Sequence, residues 1–222
     1  MGWNPVPTEL TTAATDAVLT ILCVVALVMI RRRRATDPWK VGLWSWLLGL
    51  LALASVLGAV AHGFDLSERF RDFLWQPLYL CLGLVVALFT VAAIRDRLGE
   101  PAARRALPWM IVFGFGFFAI TRIGSGTFLV FIAYEAIAML IALILYTDAA
   151  IRPRVVGAAV MAVGVALNLL AAAVQQSSVT LDLAGLPLDH NGVFHLVQML
   201  AVVVLAAGVL RGLSSMGPTD PS

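Results

Sequence analysis

Long apolar runs alternate with short polar segments along the whole chain. A bilayer core about 30 Å thick needs roughly 20 apolar residues for each helix that crosses it. Seven runs approach that length, and each predicts one transmembrane helix. Their ranges are Thr11–Ile30, Val41–His62, Phe73–Ile94, Leu107–Ile123, Thr127–Thr147, Val155–Val174 and Asn191–Leu210. We place Pro77 near the first turn of the third helix and Pro108 at the start of the fourth, where a missing N–H is tolerated. The expected fold is an all-α, seven-helix transmembrane bundle over residues 1–212, with a disordered tail over 213–222.

Cationic side chains are concentrated in alternate loops. Of the 15 Lys and Arg residues, 12 lie after the first, third, fifth and seventh predicted helices. Loops that stay in the cytoplasm carry such an excess. The pattern therefore predicts an outside N-terminus and a cytoplasmic C-terminus. Lys40 is the only lysine in the chain, and this preference for Arg, typical of a GC-rich genome, indicates the cytoplasmic (inner) membrane of a bacterium.

The composition agrees with a membrane protein. Hydrophobic residues make up 61% of the chain and charged residues 13%, whereas soluble domains are nearer half apolar and a quarter charged. The formal net charge is only +2, and the cations are dispersed. We therefore expect membrane lipid, and in one interpretation a membrane-protein partner, but no nucleic acid.

A polar stripe opens the last apolar run. Asn191, His195 and Gln198 have the spacing i, i+4, i+7 and share one face of a helix. Polar groups that enter hydrocarbon persist mainly where they face the protein interior or a wet cavity. This stripe is the first candidate for a functional site, and His190 precedes it directly.

Two other predicted helices carry similar stripes at the same end. Helix two ends with Ser55, Gly58 and His62, with Asp65 three residues further on. Helix three opens with Asp72, Gln76 and Tyr79. Since the helices alternate in direction, all three histidines of the chain are expected at one depth.

Histidines with a carboxylate suit Zn²⁺, and three protein ligands with one open position are the catalytic arrangement. His62 and His195 are the first candidates for ligands. His190 lies roughly 140° round a helix from His195, so it can join only if it precedes the helix. The candidates for the third ligand are His190, Asp72 and Asp65. Asn191 would orient a ligand through a hydrogen bond. The alternative is that these are ordinary interfacial side chains.

Two polar residues are predicted deeper in the membrane. Glu135 lies about eight residues into helix five, on the order of 12 Å below the surface at 1.5 Å per residue, and Asn168 should lie at a similar depth in helix six. A carboxylate within a membrane span is a candidate functional group. It could also simply pair with Asn168 or Tyr134.

The chain resembles the CREST superfamily, which includes the alkaline ceramidases and the progestin–adipoQ receptors. The features that carry the resemblance are seven helices, His62 closing helix two, Asp72 opening helix three and Phe194–His195 opening helix seven. Members are known or suspected intramembrane zinc hydrolases that act on lipid amides and related substrates. The resemblance implies zinc ligation by His62, His195 and His190, with Asp72 holding the water. Members also have a serine shortly before the helix-two histidine, and Ser55, the serine nearest to that position here, is the candidate for its catalytic role.

Three functions remain open from the sequence. The first is a zinc-dependent hydrolase of a lipid amide or ester at the outer leaflet. The second is a non-catalytic subunit or scaffold of a larger membrane complex, in which small residues would provide close helix contacts; these are Gly114, Gly116, Gly157 and Gly164. The third is an electron carrier in which His62 and His195 bind haem.

Overall fold

The computed structural model describes residues 2–123, 127–151 and 155–215. Within these ranges the chain forms seven helices, each long and apolar enough to cross a membrane. This agrees with the predicted all-α, seven-helix bundle. The helices are α1 (Pro7–Arg31), α2 (Pro38–Gly63), α3 (Glu68–Leu98), α4 (Glu100–Thr121), α5 (Thr127–Ile151), α6 (Ala158–Gln175) and α7 (His190–Ser214).

Helices that follow one another along the chain pack side by side, and α1 also packs against α7. The bundle therefore has two distinct ends. We call the end with the start of α1, the end of α2 and the start of α7 the histidine end, because all three histidines lie there. We call the opposite end, where α1 finishes beside Arg31–Arg34, the arginine end.

Several helices begin earlier than the sequence pattern predicted, and in two of them the early start changes the position of a proline. Helix α3 starts at Glu68 rather than Phe73, so Pro77 lies inside the helix and not near its first turn. Helix α4 starts at Glu100, and Pro108 likewise lies inside it rather than at its start. The prediction was wrong at these points because it followed the apolar runs, whereas a helix can continue past the hydrocarbon with polar residues on all sides.

The end of the chain also differs from the prediction. Helix α7 continues to Ser214, so residues 213 and 214 belong to the helix and not to the predicted tail. Residues 216–222, where the rest of that tail was predicted, lie outside the described residues.

A β-hairpin that the sequence analysis did not predict precedes α7. Strands β1 (Leu181–Leu183) and β2 (Leu186–Leu188) pair antiparallel, with Leu183 opposite Leu186. The two turn residues, Ala184 and Gly185, both have positive φ angles, as the favoured two-residue hairpin turns require. The hydroxyl of Thr11 in α1 hydrogen-bonds the carbonyl of Pro187, so the hairpin is attached to the start of α1.

Buried ion pairs join the helices at the arginine end. Lys40, only 4% exposed, lies with Nζ 2.7 Å from Oδ1 of Asp96. Arg95 bridges Asp96 and Asp37, and the Tyr146 hydroxyl donates to Asp96 at 3.3 Å. These contacts connect α2, α3 and α5. Side chains that the charge pattern assigned to cytoplasmic loops therefore also hold the bundle together.

Most of the glycines considered as contact points for a partner are used within the chain. A Cβ at Gly114 would lie 3.1 Å from the carbonyl oxygen of Gly83, so α3 and α4 approach closely there. Gly157, at φ +89°, lies against Gly208. Gly164 similarly packs on Leu205. The fourth, Gly116, has nothing within 4 Å of its Cβ position. Three of the four therefore give no support to a scaffold function.

Candidate functional site

One face of α1 carries polar residues into the bundle at the histidine end. Glu9, Thr12 and Asp16 have the spacing i, i+3, i+7, so they lie one above another on the helix. Thr15 lies beside Asp16 on the same side of the bundle, since both contact His195. Thr12 and Asp16 are buried. Helix α1 therefore supplies the oxygen atoms that meet the histidines of α2 and α7.

Glu9 holds His62, at the end of α2. The Nδ1 atom of His62 lies 2.6 Å from Oε2 of Glu9, a short distance typical of a charge-assisted hydrogen bond. Because a carboxylate accepts only, Nδ1–H of His62 donates, and the neutral ring keeps its lone pair on Nε2. The Trp75 ring packs against the same imidazole in a T-shaped arrangement, with 5.7 Å between ring centroids. These two contacts fix the tautomer and the orientation of the imidazole.

The segment before α1 supports this pair. The side-chain amide of Asn4 donates to the carbonyl of His62 at 2.9 Å, and the backbone N–H of Asn4 donates to Gly63. The ring of Trp3 stacks on Phe64, with 5.1 Å between centroids. The N-terminal segment thus fastens the end of α2 to the start of α1, which brings His62 next to Glu9.

Thr15 and Asp16 hold His195, in the second turn of α7. The Thr15 hydroxyl donates to the Thr12 carbonyl at 2.8 Å, and its oxygen lies 2.9 Å from Nδ1 of His195. A hydroxyl has one proton, so this network assigns the second proton to His195, whose Nδ1–H donates to Thr15. The Nε2 atom of His195 lies 3.4 Å from Oδ1 of Asp16. This separation is longer than a usual N–H···O hydrogen bond, so a proton shared between Nε2 and the carboxylate would require the two groups to approach further.

The position of Asp16 depends on the absence of a side chain in α2. A Cβ built on Gly58 would lie 2.5 Å from Oδ2 of Asp16, closer than real atoms approach. The carboxylate, in a residue that is 4% exposed, therefore packs directly on the α2 backbone. Gly58 was singled out in the sequence only as part of the His62 stripe, and here it makes room for Asp16.

Asp189 sets the start of α7. Its carboxylate accepts from the backbone N–H groups of Asn191 and Gly192, both at 3.0 Å, and from the Thr12 hydroxyl at 3.2 Å. The first two contacts are an N-cap. The third connects the cap to α1, one turn from Asp16, so it helps to place α7 against α1.

His62, His195 and Asp16 border one cavity of about 370 Å³. Its wall is mostly apolar and includes Leu78, Leu82 and Val86 of α3 and Phe131 of α5. The polar part of the wall contains many residues singled out in the sequence. These are His62, His195, His190, Asn191, Gln198, Ser55, Tyr79 and Glu135. The proposal that His62 and His195 share a site is therefore consistent with their common cavity.

A model for a family of unknown function, DUF6962, matches residues 11–214. The chain belongs to the DUF6962 family. No curated protein and no solved structure matches it. The matched range includes α1 from Thr11 onward and the whole of α7, and thus all of the site except Glu9. The family description names no activity, so it does not test the resemblance to the CREST superfamily.

Some residues singled out in the sequence of this DUF6962 member lie away from the cavity. Asp72, expected to hold the water, is exposed and does not border it. Helix α3 starts at Glu68, so Asp72 lies in an early part of the helix that is largely exposed. Asp65, in the loop before α3, is also exposed, and Gln76 is half-buried outside the cavity.

Glu135 and Asn168 lie close together, but no hydrogen bond between them is found among the described residues. Asn168 instead donates to the Gly164 carbonyl at 3.1 Å, and the Tyr134 hydroxyl lies 3.3 Å from the Gly83 carbonyl. Glu135, 8% exposed, has no hydrogen-bond partner for Oε2 in the part of the chain described. Both Glu135 and Asn168 border a smaller cavity of about 50 Å³.

The donors present do not assemble the metal site that the resemblance implies. Among the described residues, no group of three or more His, Cys, Asp or Glu side chains could hold a metal ion. The Nδ1 atoms of His62 and His195 both contact side chains of α1, as in many metal-binding histidines. No third ligand lies with them in the part of the chain that the structure describes. For haem, an iron bond to Nε2 of His195 would require Asp16 to move, because its carboxylate faces that atom.

The contribution of α1 to the site was not predicted from the sequence. Glu9, Thr12 and Asp16 show the same stripe spacing that drew attention to helices two, three and seven. The first apolar run was started at Thr11, which excluded Glu9. Asp16, a carboxylate well inside an apolar run, was a signal of the kind that singled out Glu135.

Proposed function

We propose that this protein spans the cytoplasmic membrane of a bacterium, with its N-terminus outside, and hydrolyses a lipid amide or ester within the cavity at the histidine end. The observation that carries the proposal is the pairing of each cavity histidine with α1. His62 donates Nδ1–H to Glu9 and His195 donates Nδ1–H to Thr15, which leaves both Nε2 atoms basic. Two imidazoles that border one cavity, each with its Nδ1 proton held by α1, are suited to acid–base chemistry.

The cavity wall supports a lipid substrate. A volume of about 370 Å³ lies within the range of ligand pockets. Leucine, valine and phenylalanine side chains of α3 and α5 form an apolar part of the wall, where an acyl chain would replace no strong hydrogen bonds. Most polar side chains of the wall come from α1, α2 and α7, and the exceptions are Tyr79, Glu135 and Gln175. The scissile amide or ester would therefore lie beside the histidines, with the acyl chain against α3 and α5.

In the proposed reaction, His62 acts as general base. Its Nε2 takes a proton from water as the water oxygen bonds to the substrate carbonyl carbon, and the Glu9 carboxylate stabilises the imidazolium that forms. The Asp16–His195 pair supplies a proton to the leaving nitrogen or oxygen when its bond to the carbonyl carbon breaks. The products are a fatty acid and an amine or alcohol, and the proton gained by His62 returns to the pair through solvent.

Two features make the Asp16–His195 pair suitable as the acid. The carboxylate and imidazole are both buried, with 6% and 10% of their side chains exposed. A buried pair in which one proton is shared avoids two separate charges in an apolar setting. Donation of that proton to a leaving group leaves a single negative charge on the pair, next to the imidazolium that has formed on His62.

This mechanism uses no metal, so it can be distinguished from the zinc mechanism that the resemblance implies. The two mechanisms also assign different carboxylates. Here Asp16 belongs to the pair that supplies a proton, whereas the resemblance implies that Asp72 holds the water. Asp72→Asn is thus a matched control for Asp16→Asn, since both remove one carboxylate and keep the size of the side chain.

The test is lipid hydrolysis by purified protein in vesicles, with amide and ester lipids as substrates and products identified by mass spectrometry in ¹⁸O-water. We expect a fatty acid that carries ¹⁸O. Asp16→Asn, His62→Gln and His195→Gln should each lower its release roughly 10²- to 10⁴-fold, as loss of a general acid or base does, whereas Asp72→Asn should keep it. No release from any lipid of either class would contradict the proposal. Stoichiometric zinc lost on His195→Gln, with activity lost on Asp72→Asn, would favour the zinc mechanism.

A further inference from the structure

A second concave surface lies at the arginine end, far from the histidine cavity. It is a groove of about 520 Å³ between the end of α1 and the outer face of α2. Arg31 and Arg34 lie at its polar end, Gly42 and Trp46 line its middle, and Leu53 lies at its far end. From Pro38 to Leu53 the groove follows α2 for fifteen residues, or roughly 22 Å at 1.5 Å per residue. That length exceeds half of a bilayer core about 30 Å thick.

The charge at this groove is not balanced by the protein. Four other cations at the same end have carboxylate partners: Lys40 with Asp96, Arg95 with Asp37, Arg97 with Asp148 and Arg104 with Glu100. Arg31 and Arg34, both exposed, form no salt bridge with any carboxylate in the described part of the chain. The arginines that line the groove are thus available for an external anion.

The rest of the groove is shaped for a hydrocarbon chain. A Cβ at Gly42 would have nothing within 4 Å, so the groove is open at that point. The Ser45 hydroxyl donates to the Val41 carbonyl at 2.7 Å and offers no proton to a ligand. Trp46 is 72% exposed and forms one wall, while Leu50 and Leu53 line the deeper part. A ligand that fits has an anion at one end and an apolar chain at the other.

We propose that this groove is a specific binding site for one anionic phospholipid of the leaflet at the arginine end. Arg31 and Arg34 bind the phosphate, and one acyl chain lies along α2 over Gly42 towards Leu53. The preference for an anionic lipid follows from charge, since a zwitterionic head group brings its own cation to two unpaired arginines. This site is independent of the proposed hydrolysis, because it lies on the other end and on the outside of the bundle.

The run of four arginines supplies a matched control. Arg31→Ala/Arg34→Ala removes the two cations that line the groove, and Arg32→Ala/Arg33→Ala removes the two that do not. Both double variants lose the same charge from the same segment. If the arginine run only attracts an anionic surface, both double variants should weaken lipid binding equally. If the lipid occupies the groove, Arg31→Ala/Arg34→Ala should weaken binding and Arg32→Ala/Arg33→Ala should not.

Glycine offers a second control that leaves all charges in place. Gly42→Leu fills the groove with a side chain, and Gly116→Leu places the same side chain on α4, where a Cβ also has nothing within 4 Å. Leucine favours the helix over glycine at both positions, so neither change should harm folding. Thermal unfolding without added lipid checks this for all four variants.

The experiment is native mass spectrometry of the full chain in detergent, with phosphatidylglycerol or phosphatidylcholine of identical acyl chains. We expect one phosphatidylglycerol to bind at concentrations where phosphatidylcholine does not. Arg31→Ala/Arg34→Ala should weaken this binding roughly tenfold or more, given the attraction of each cation near an anionic surface. Gly42→Leu should also weaken it, and both control variants should bind as the natural chain does.

Four results would overturn the proposal. Equal weakening by the two double-arginine variants would show diffuse charge rather than a site. Unchanged binding in Gly42→Leu would show that no acyl chain occupies the groove. Equal binding of phosphatidylcholine would remove the preference for an anionic lipid. Displacement of the lipid by millimolar inorganic phosphate would show that a free anion is the ligand.

Discussion

The carboxylate of Asp16 occupies the space that a side chain at position 58 would need. A Cβ on Gly58 would meet Oδ2 of Asp16 at 2.5 Å and its Cγ at 3.0 Å. The same carboxylate lies 3.4 Å from Nε2 of His195 on its other oxygen. Asp16 is therefore held between the α2 backbone and an imidazole of α7, and a shift at one contact alters the other.

Gly58→Ala should both destabilise the protein and impair the site. The added methyl group must displace Asp16 from His195 or separate α1 from α2, and overpacking of this kind costs about 1–3 kcal/mol. Thermal unfolding in detergent measures the loss. Gly42→Ala on the same helix is the control, because its Cβ would enter open space and alanine favours a helix over glycine. A Gly58→Ala protein as stable as the natural chain would refute this account of Asp16.

Helix α1 organises the site. It contributes Glu9 to His62, Thr15 and Asp16 to His195, and Thr12 to the cap of α7. The histidines belong to α2 and α7, which are distant in sequence. Their common cavity therefore depends on how these two helices pack against α1.

Asp189→Ala should weaken the start of α7. The carboxylate accepts from two backbone N–H groups and from Thr12, and loss of an N-cap costs about 0.5–2 kcal/mol. Hydrogen–deuterium exchange should show faster exchange over the first turns of α7. Asp65→Ala, in an exposed loop, should leave that exchange unchanged. Slow exchange in both variants would mean that Asp189 does not hold the helix start.

The residues of the site that could be predicted from the sequence are those that recur with helical spacing. The stripes of helices two and seven placed His62, Ser55, His195 and Gln198 on the cavity side, since burial of polar groups in hydrocarbon selects their direction. Periodicity does not give the position of a helix start, and for that reason the sequence assigned Asp72 to the site. In the structure α3 begins earlier, at Glu68, and Asp72 is exposed. Periodicity also does not identify partners between helices, such as Glu9 with His62, because these depend on tertiary packing.

The whole molecule separates two kinds of polar contact. At the arginine end, Lys40, Asp96 and Arg95 form buried ion pairs that link helices. At the histidine end, carboxylates meet imidazoles. Pairs of Lys or Arg with Asp therefore occur where the bundle is held together, and pairs of His with a carboxylate occur at the cavity.

The proposed orientation predicts which end reagents can reach from outside a cell. A cysteine at exposed position 182 in the hairpin (Asp182→Cys) should react with an impermeant maleimide in intact cells. A cysteine at exposed position 35 beside the arginine run (Ala35→Cys) should react only after the cells are opened. Cys23 and Cys81 are buried and should give little background. The reverse labelling pattern would place the cavity at the cytoplasmic face.

The central claim is that α1 fixes the tautomers of two imidazoles of one cavity by holding their Nδ1 protons. The chain has only three histidines, so ¹⁵N NMR of protein labelled in its histidine rings tests this directly. At a pH where the rings are neutral, His62 and His195 should each show a protonated Nδ1 and a bare Nε2. Thr15→Val should change the signals of His195 and not those of His62. A neutral His62 or His195 with its proton on Nε2 in the natural chain would contradict the account.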